Sequence, residues 1–161
     1  MSFLGGGVVD CGVIGARYLI DTAPIILKAG VWLRGVDVPV SDYWFLSSLP
    51  TLLITYGKTD ETKHAVLQRQ GSRISGFNLE YPDQIGSDMK DPHTGALQTN
   101  PYAYGWAITT DNVAYGTSNV DAISAGNIFL KNAYNGIKYF RTGKYDLRDI
   151  YGQPIRRGLI S

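Results

Sequence analysis

The chain has 161 residues, the length of one ordinary domain, and its 15 basic and 14 acidic residues give a formal charge of +1. This near balance provides no global attraction toward nucleic acid or an anionic membrane surface. Glycine (19) and tyrosine (11) are abundant and charged residues make up only 18%, which favours turns and aromatic strands over charged helical faces. The single Cys11 excludes an intramolecular disulfide and belongs to no zinc-binding set.

The first sixteen residues combine five glycines with Val and Ile. This pattern predicts a flexible N-terminal arm over residues 1–16, or short pieces of strand, of the kind that docks on a neighbour. Asp10 interrupts the apolar stretch and no basic run precedes it, so we expect no secretory signal. The longest apolar run, residues 43–54, contains two serines and Pro50, so we expect no membrane insertion.

Short strands are predicted around residues 18–20, 25–27 and 31–33, where β-branched and apolar residues alternate with turn residues. Ser41 suits the N-cap of a short helix over residues 42–49 that Pro50 would end. Residues 52–56 read as another strand. Residues 59–70, with Asp60 and Glu61 near the start, form a weaker helical candidate.

The second half of the chain is predicted to consist of hairpins. A strand at residues 77–79 precedes the longest loop, residues 81–100, and long loops often carry function. Residues 104–108 and 113–115 flank a Thr-Asp-Asn turn and predict one hairpin. Residues 128–141 predict a second, with Asn135-Gly136 as a type I′ turn. No internal repeat is visible, and residues 151–161 read as an extended C-terminal tail.

The register of the second hairpin puts apolar and aromatic residues on both of its faces. An antiparallel hairpin with one face in water should alternate more cleanly, so both faces need cover, either within the fold or from another subunit. The candidate subunit-contact residues are Phe129, Tyr134, Tyr139 and Phe140. The predicted fold is thus a single mainly β domain over residues 1–161, an antiparallel sheet or sandwich of hairpins with one or two short helices.

Catalytic chemistry has little support in the sequence. His93, near Asp83 and Asp88, is a candidate metal ligand in the long loop, but the spacing of these residues matches no known ligand pattern. Cys11 has no basic neighbour before Arg17, no Gly-x-Ser-x-Gly motif is present, and no pair of carboxylates stands out. We therefore expect no catalytic residues, no metal, no cofactor and no enzymatic activity.

Aromatic residues are the better candidates for binding. Tyr102, Tyr104 and Trp106 fall at even offsets, which would put them on one strand face, and Tyr115 lies on the partner strand. Such a stripe can stack on sugars or form a protein interface, with packing in the core as the alternative. No Lys or Arg lies between residues 101 and 116, so RNA binding is not expected.

One segment resembles a known family. Gly30-Val31-Trp32-Leu33-Arg34-Gly35, followed by Val40-Ser41, Tyr43, Leu46 and Thr55-Tyr56-Gly57, looks like the opening of collar-type domains in bacteriophage tail fibres. In that family an Asp-Leu-Arg-Gly motif follows shortly. Here the only similar segment is Asp146-Leu147-Arg148-Asp149, which lacks the final glycine. The resemblance implies a virion protein.

From these features we expect a non-enzymatic structural protein of a bacteriophage particle, in the tail, the fibre attachment or the head surface. Its partners would be copies of itself, other virion proteins and a host surface glycan, with no nucleic acid. A carbohydrate-binding module using Tyr102, Tyr104, Trp106 and Tyr115 is the first alternative. A hydrolase or lyase with its site in residues 81–100 is the second.

Overall fold

The computed structural model describes residues 6–36, 48–84, 101–110, 121–140, 142–152 and 154–160. These residues form twelve β-strands and no α-helix. In chain order the strands are β1 (Val8–Asp10), β2 (Arg17–Ile20), β3 (Ile25–Leu27), β4 (Trp32–Arg34), β5 (Thr51–Ile54), β6 (Val66–Gln68), β7 (Arg73–Glu80), β8 (Trp106–Thr110), β9 (Ile123–Lys131), β10 (Asn135–Lys138), β11 (Tyr145–Gly152) and β12 (Arg157–Ile160).

All the strand pairings among these residues are parallel. The long strands β7, β9 and β11 each extend over two faces. The first half of β7 pairs with β4 and its second half with β5, and β9 and then β11 continue both halves. The first face contains β1, β4 and the first halves of the long strands; the second contains β2, β5 and their second halves. The third face contains β3, β6, β8, β10 and β12.

The described strands therefore wind through the three faces in turn and make five coils, which is the architecture of a parallel β-solenoid. Val8, Trp32, Arg73, Ser124 and Asp146 occupy equivalent positions of successive coils. The first and fourth coils take 24 and 22 residues, whereas the second and third take 41 and 51. The extra residues lie in the connections between strands, so the ladders themselves stay in register.

Two corners of the coils have a left-handed backbone. Gly30, Gly71 and Ala122 each lie two residues before the register position shared by Trp32, Arg73 and Ser124, with φ of 71°, 69° and 57°. Gly76, Asn127 and Asp149 separate the first and second faces within β7, β9 and β11, with φ of 74°, 49° and 53°. Glycine, asparagine and aspartate tolerate this conformation best, so the sequence supplies suitable residues where the chain bends.

The core is the inside of the coils, where side chains of equivalent positions stack on one another. Leu33, Ile74 and Ala125 form one such column on the first face, and each is buried between two more exposed neighbours. Similar columns of buried residues line the second and third faces: Leu52, Leu79 and Leu130; Phe77 and Ile128; Val66, Ile108 and Ile137. Because strand residues alternate between the two sides of a sheet, the residues between them point outward.

The structure confirms that the protein is mainly β but shows that the predicted antiparallel arrangement is wrong. Strand β8 has β6 on one edge and β10 on the other, both parallel. It therefore has no free edge for a hairpin partner at residues 113–115, which lie outside the described residues. The strands predicted around 18–20, 25–27, 31–33, 52–56 and 77–79 are confirmed as β2, β3, β4, β5 and part of β7.

The predicted hairpin at Asn135-Gly136 is also wrong. Both residues lie within β10, and the chain turns earlier, at Asn132, whose φ is 58°. Strands β9 and β10 belong to different faces and pair with different neighbours. Aromatic residues occur on both sides of this segment because it turns a corner of the solenoid, so one side contributes to the core.

The predicted helix over residues 59–70 is wrong as well. Asp60 accepts hydrogen bonds from the backbone and hydroxyl of Thr62 (2.9 and 2.6 Å), which makes a local turn instead of a helical first turn. The residues that follow form β6, whose first and last residues, Val66 and Gln68, are buried. The predicted helix over 42–49 lies outside the described residues except for Ser48 and Leu49. The segments predicted as an arm and a tail contain β1, the end of β11 and β12.

Candidate functional site

A shallow trough crosses the outward side of the first face. The second to fifth coils each place two outward-pointing residues there. In turn these are Trp32 and Arg34, Arg73 and Ser75, Ser124 and Gly126, and Asp146 and Arg148. The fourth coil carries only small residues between the larger side chains of its neighbours. Since adjacent strands lie about 4.8 Å apart, the third and fifth coils bound a trough roughly 10 Å wide.

Gly126 opens the floor of this trough although the backbone does not require a glycine there. Its φ is not in the left-handed region, and an added Cβ would meet only the Arg148 carbonyl oxygen, at 3.7 Å. At Gly76 and Gly136, by contrast, an added Cβ would lie 2.4 Å from Val36 O and 2.3 Å from Gly158 O. Those two glycines are needed for packing, whereas Gly126 leaves space outside the fold.

The space has a volume of about 550 Å³, within the usual range for ligand-binding clefts. Polar and apolar surface contribute equally to its walls, which carry more positive than negative charge. Arg73, Lys144 and Arg148 are the cations on the walls, and Asp146 is the only acidic residue that lines them among the described residues. Arg148 pairs with Asp146 at 2.9 Å, while Arg73 and Lys144 make no ion pair within the described part of the chain.

Trp32 lies at the end of the trough nearest the second coil, and its ring is held in place. The indole Nε1 donates a hydrogen bond to Ser75 Oγ at 3.1 Å, and the guanidinium of Arg34 lies 5.4 Å from the ring centroid. Arg34 is itself paired with Asp10, and that guanidinium lowers the pKa of the Asp10 carboxyl. The trough therefore combines a fixed aromatic ring with hydroxyl, guanidinium and carboxylate groups.

The sequence did not identify the trough residues as a site; Trp32, Asp146 and Arg148 were noted only for their resemblance to segments of the fibre family. No short motif joins Trp32, Arg73, Gly126 and Asp146, because 41, 53 and 20 residues separate them in turn. Only the parallel register aligns them. The alternation Ile123-Ser124-Ala125-Gly126, with Ile123 and Ala125 buried, is the one local signal that marks an outward surface of small residues.

The four aromatic residues predicted to form a binding stripe do not share one exposed face. Tyr104 is a core residue with 1% exposure, packed edge-on against Tyr81 at 4.8 Å. Trp106 is 5% exposed and lies on the third face, whereas Tyr102 is 38% exposed and contacts the ammonium group of Lys58. Tyr115 lies outside the described residues. Of the four, Trp106 borders a second cavity.

The four predicted subunit-contact residues differ from one another in exposure. Phe140 is 49% exposed, while Phe129 and Tyr134 are half-buried. Tyr139 is buried at 3% exposure, and its hydroxyl donates to Gln68 Oε1 at 2.6 Å. Phe140 is thus the member of the set with the most accessible side chain.

Metal binding and catalysis gain no support from the described residues. His93 and Asp88 lie outside them, and the described part of the chain contains no group of three or more His, Cys, Asp or Glu side chains arranged to hold a metal ion. Cys11 is a half-buried free thiol that packs against the core. Within the described ranges, no helix has the length and apolarity to cross a membrane.

Comparisons of this chain with protein family models, with curated proteins and with solved structures found no match. Function is therefore inferred from the geometry of the trough and of the coils.

Proposed function

We propose that this chain is a glycan-binding domain that holds an acidic oligosaccharide in the trough of its first face. The observation that carries the proposal is Gly126. The fold has room for a side chain at this position and no backbone need for glycine, so the glycine keeps open a cleft that cationic, hydroxyl and aromatic groups surround.

The charges favour a ligand with carboxylate or similar anionic groups. Arg73 and Lys144 lack ion-pair partners among the described residues, and guanidinium groups bind carboxylates in a bidentate geometry. The outward position of Ser124 and the carboxylate of Asp146 suit sugar hydroxyls, which both donate and accept hydrogen bonds. A nucleic acid strand fits less well, because it carries a phosphate on every nucleotide and Asp146 on the wall would repel those nearest to it.

The lining residues also extend far enough across the coils. From Trp32 on the second coil, beyond the wall formed by the third coil, to Asp146 on the fifth there are three strand spacings, or roughly 14 Å. An aromatic ring at one end and a paired Arg148 and Asp146 at the other allow contacts with several consecutive sugar units. Aromatic rings pack well against the apolar faces of flat ligands.

The direct test is a substitution whose new side chain fills the trough. We expect Gly126→Leu to lose binding to an oligouronate by at least tenfold, measured by calorimetry, because the new side chain occupies the cleft. The matched control is Gly158→Leu, a strand glycine on the third face whose added Cβ also meets open space. It should fold and bind as the parent does. Arg73→Met should weaken binding as well, because it removes an unpaired guanidinium.

The ligand class is checked with the same proteins. The carboxyl-reduced form of the oligouronate, a neutral oligosaccharide and a single-stranded oligonucleotide complete the panel. Three outcomes would each contradict the proposal: the parent binds only the oligonucleotide, Gly126→Leu binds as well as the parent, or the parent binds no member of the panel.

A second candidate function, assembly into a larger particle, is favoured by the outermost described coils. Val8, Val9 and Leu19 on the first coil and Leu159 and Ile160 on the fifth are between 42% and 59% exposed. If a second copy continued the ladder from β11 to β1 in the same register, Leu147 would lie against Val9 and Arg148 against Asp10. Asp10 already pairs with Arg34 in this way within one chain.

We propose a non-enzymatic assembly role through this head-to-tail contact, with a second copy of the chain as the partner; the phage particle remains a prediction of the sequence. Heterologous contacts of this kind give concentration-dependent chains of subunits. Light scattering should show a mass that rises with concentration in the parent and falls to the monomer in Leu159→Glu. A parent protein that stays monomeric at all concentrations would exclude the contact.

A further inference from the structure

A second cavity, of about 360 Å³, lies on the third face and is separate from the trough. Its walls are largely aromatic and apolar, and they include Tyr56, Leu67, Trp106 and Phe140. The polar groups on the wall are threonine hydroxyls, the imidazole of His64 and two ammonium groups, those of Lys63 and Lys138. No carboxylate lines the cavity among the described residues, so its charge is uniformly positive.

Lys138 is the central feature of this cavity. Its ammonium nitrogen lies 5.7 Å from the ring centroid of Trp106 and 5.5 Å from that of Phe140, so two aromatic rings fix its position. The residue is only half exposed, and it makes no ion pair with any side chain in the described ranges. With no carboxylate beside it and two rings covering part of its surface, this ammonium group retains the capacity to pair with an anion.

His64 supplies a hydrogen-bond donor beside it. The Nδ1 atom accepts a hydrogen bond from the backbone N–H of Trp106 at 3.0 Å, so in the neutral ring the proton is on Nε2. Burial, and next the charge of Lys138, lower the pKa of the imidazole, and Asp60 partly offsets this. The ring is therefore neutral at pH 7 and presents one N–H group.

Gly105 brings these groups together. An added Cβ at this position would lie 2.1 Å from the carbonyl oxygen of Lys63 and 2.6 Å from His64 Nδ1. Only glycine permits the segment before β8 to approach the segment before β6 this closely. The imidazole is consequently held directly against the start of β8.

We propose that this cavity binds a small organic anion with a flat apolar body, such as an aromatic carboxylate. The carboxylate would pair with the Lys138 ammonium group and accept a hydrogen bond from His64, while the ring of the ligand would lie against Leu67, Tyr56 and Phe140. The site is independent of the glycan trough, since it lies on another face and shares no residue with it.

The probes are 2-naphthoate and its uncharged counterpart 2-naphthamide, titrated into the full chain by calorimetry. We expect naphthoate to bind and naphthamide to bind at least tenfold more weakly. Lys138→Met keeps the aliphatic part of the side chain and removes the charge, so it should weaken naphthoate binding at least tenfold. Lys28→Met, at an exposed lysine that does not line the cavity, is the matched control and should bind as the parent does.

Lys138→Arg separates a loss of charge from a loss of packing, because it retains a cation over the same rings; we expect it to bind naphthoate. Thermal unfolding of each variant verifies that the fold is intact. Four outcomes would each overturn the proposal. The acid and the amide bind equally well, or Lys138→Met binds naphthoate as the parent does. Alternatively, Lys138→Arg loses binding as Lys138→Met does, or the parent does not bind at millimolar naphthoate.

Discussion

Gln68 shows how the interior of the solenoid accommodates a polar side chain. The residue has no exposed surface; its Nε2 donates to the carbonyl oxygen of Ser124 at 3.0 Å, and its Oε1 accepts from the Tyr139 hydroxyl at 2.6 Å. Burial raises the pKa of that hydroxyl, so it remains a protonated donor. The second coil is thereby joined to the fourth by a side chain that crosses the core.

We expect Gln68→Leu to lower the free energy of unfolding by about 2–3 kcal/mol, because it leaves the buried Tyr139 hydroxyl without an acceptor and removes the side-chain donor of the Ser124 carbonyl. Urea unfolding followed by circular dichroism measures the change. Adding Tyr139→Phe removes the orphaned hydroxyl, so the double variant should be more stable than Gln68→Leu alone. If the two single effects simply add, the two side chains are not coupled.

Asn135 and Gly136 show why a short sequence motif does not predict local structure when the fold is unknown. The pair is the common signature of a tight hairpin turn, yet here each residue has another role. Asn135 Nδ2 donates to the Tyr104 carbonyl oxygen at 2.8 Å, and Gly136 allows the backbone of Gly158 on the next coil to approach. Both roles depend on contacts with distant residues, which the local sequence does not contain.

At the level of elements, the strands were predictable and their partners were not. Alternation of apolar and polar residues identified β2, β3, β4 and β5, because each has one side in the core. The same alternation suits parallel and antiparallel pairing alike, so it did not decide between them. Strand β7 adds a further difficulty, since it bends at Gly76 and pairs with two different strands on the same edge.

The bend in β7 should be intolerant of side chains. We expect Gly76→Ala to destabilise the fold by more than about 2 kcal/mol, because alanine is strained at positive φ and its Cβ would collide with the Val36 carbonyl. Gly126→Ala serves as the control and should raise stability by about 0.5–1 kcal/mol, as expected where a strand glycine is not required. Equal shifts of the urea unfolding midpoint in the two variants would contradict this assignment.

At the level of the whole molecule, the repeat was hidden by unequal coils. The first and fourth coils differ by two residues, but the two coils between them are about twice as long, so no fixed period appears in the sequence. The trough remained hidden for the same reason, because its walls come from four coils. A repeat search needs a constant spacing, and these insertions remove it.

The position of a coil should determine its local stability. Strand β7 is paired on both edges, whereas β1, β2, β11 and β12 each pair along one edge among the described strands. At low protein concentration we expect amide hydrogens of β1 and β11 to exchange faster than those of β7 and β9, measured by mass spectrometry. Uniform protection along the chain would show instead that the outer coils are covered.

The long connections of the second and third coils make this domain a suitable host for foreign peptides. They join β4 to β5, β5 to β6, β7 to β8 and β8 to β9, and each begins and ends beside a corner of a ladder that keeps its register. Lengthening such a connection adds little closure entropy, on the order of 0.6 kcal/mol for each doubling of its length. New recognition segments can therefore be exchanged at these corners without redesign of the supporting strands.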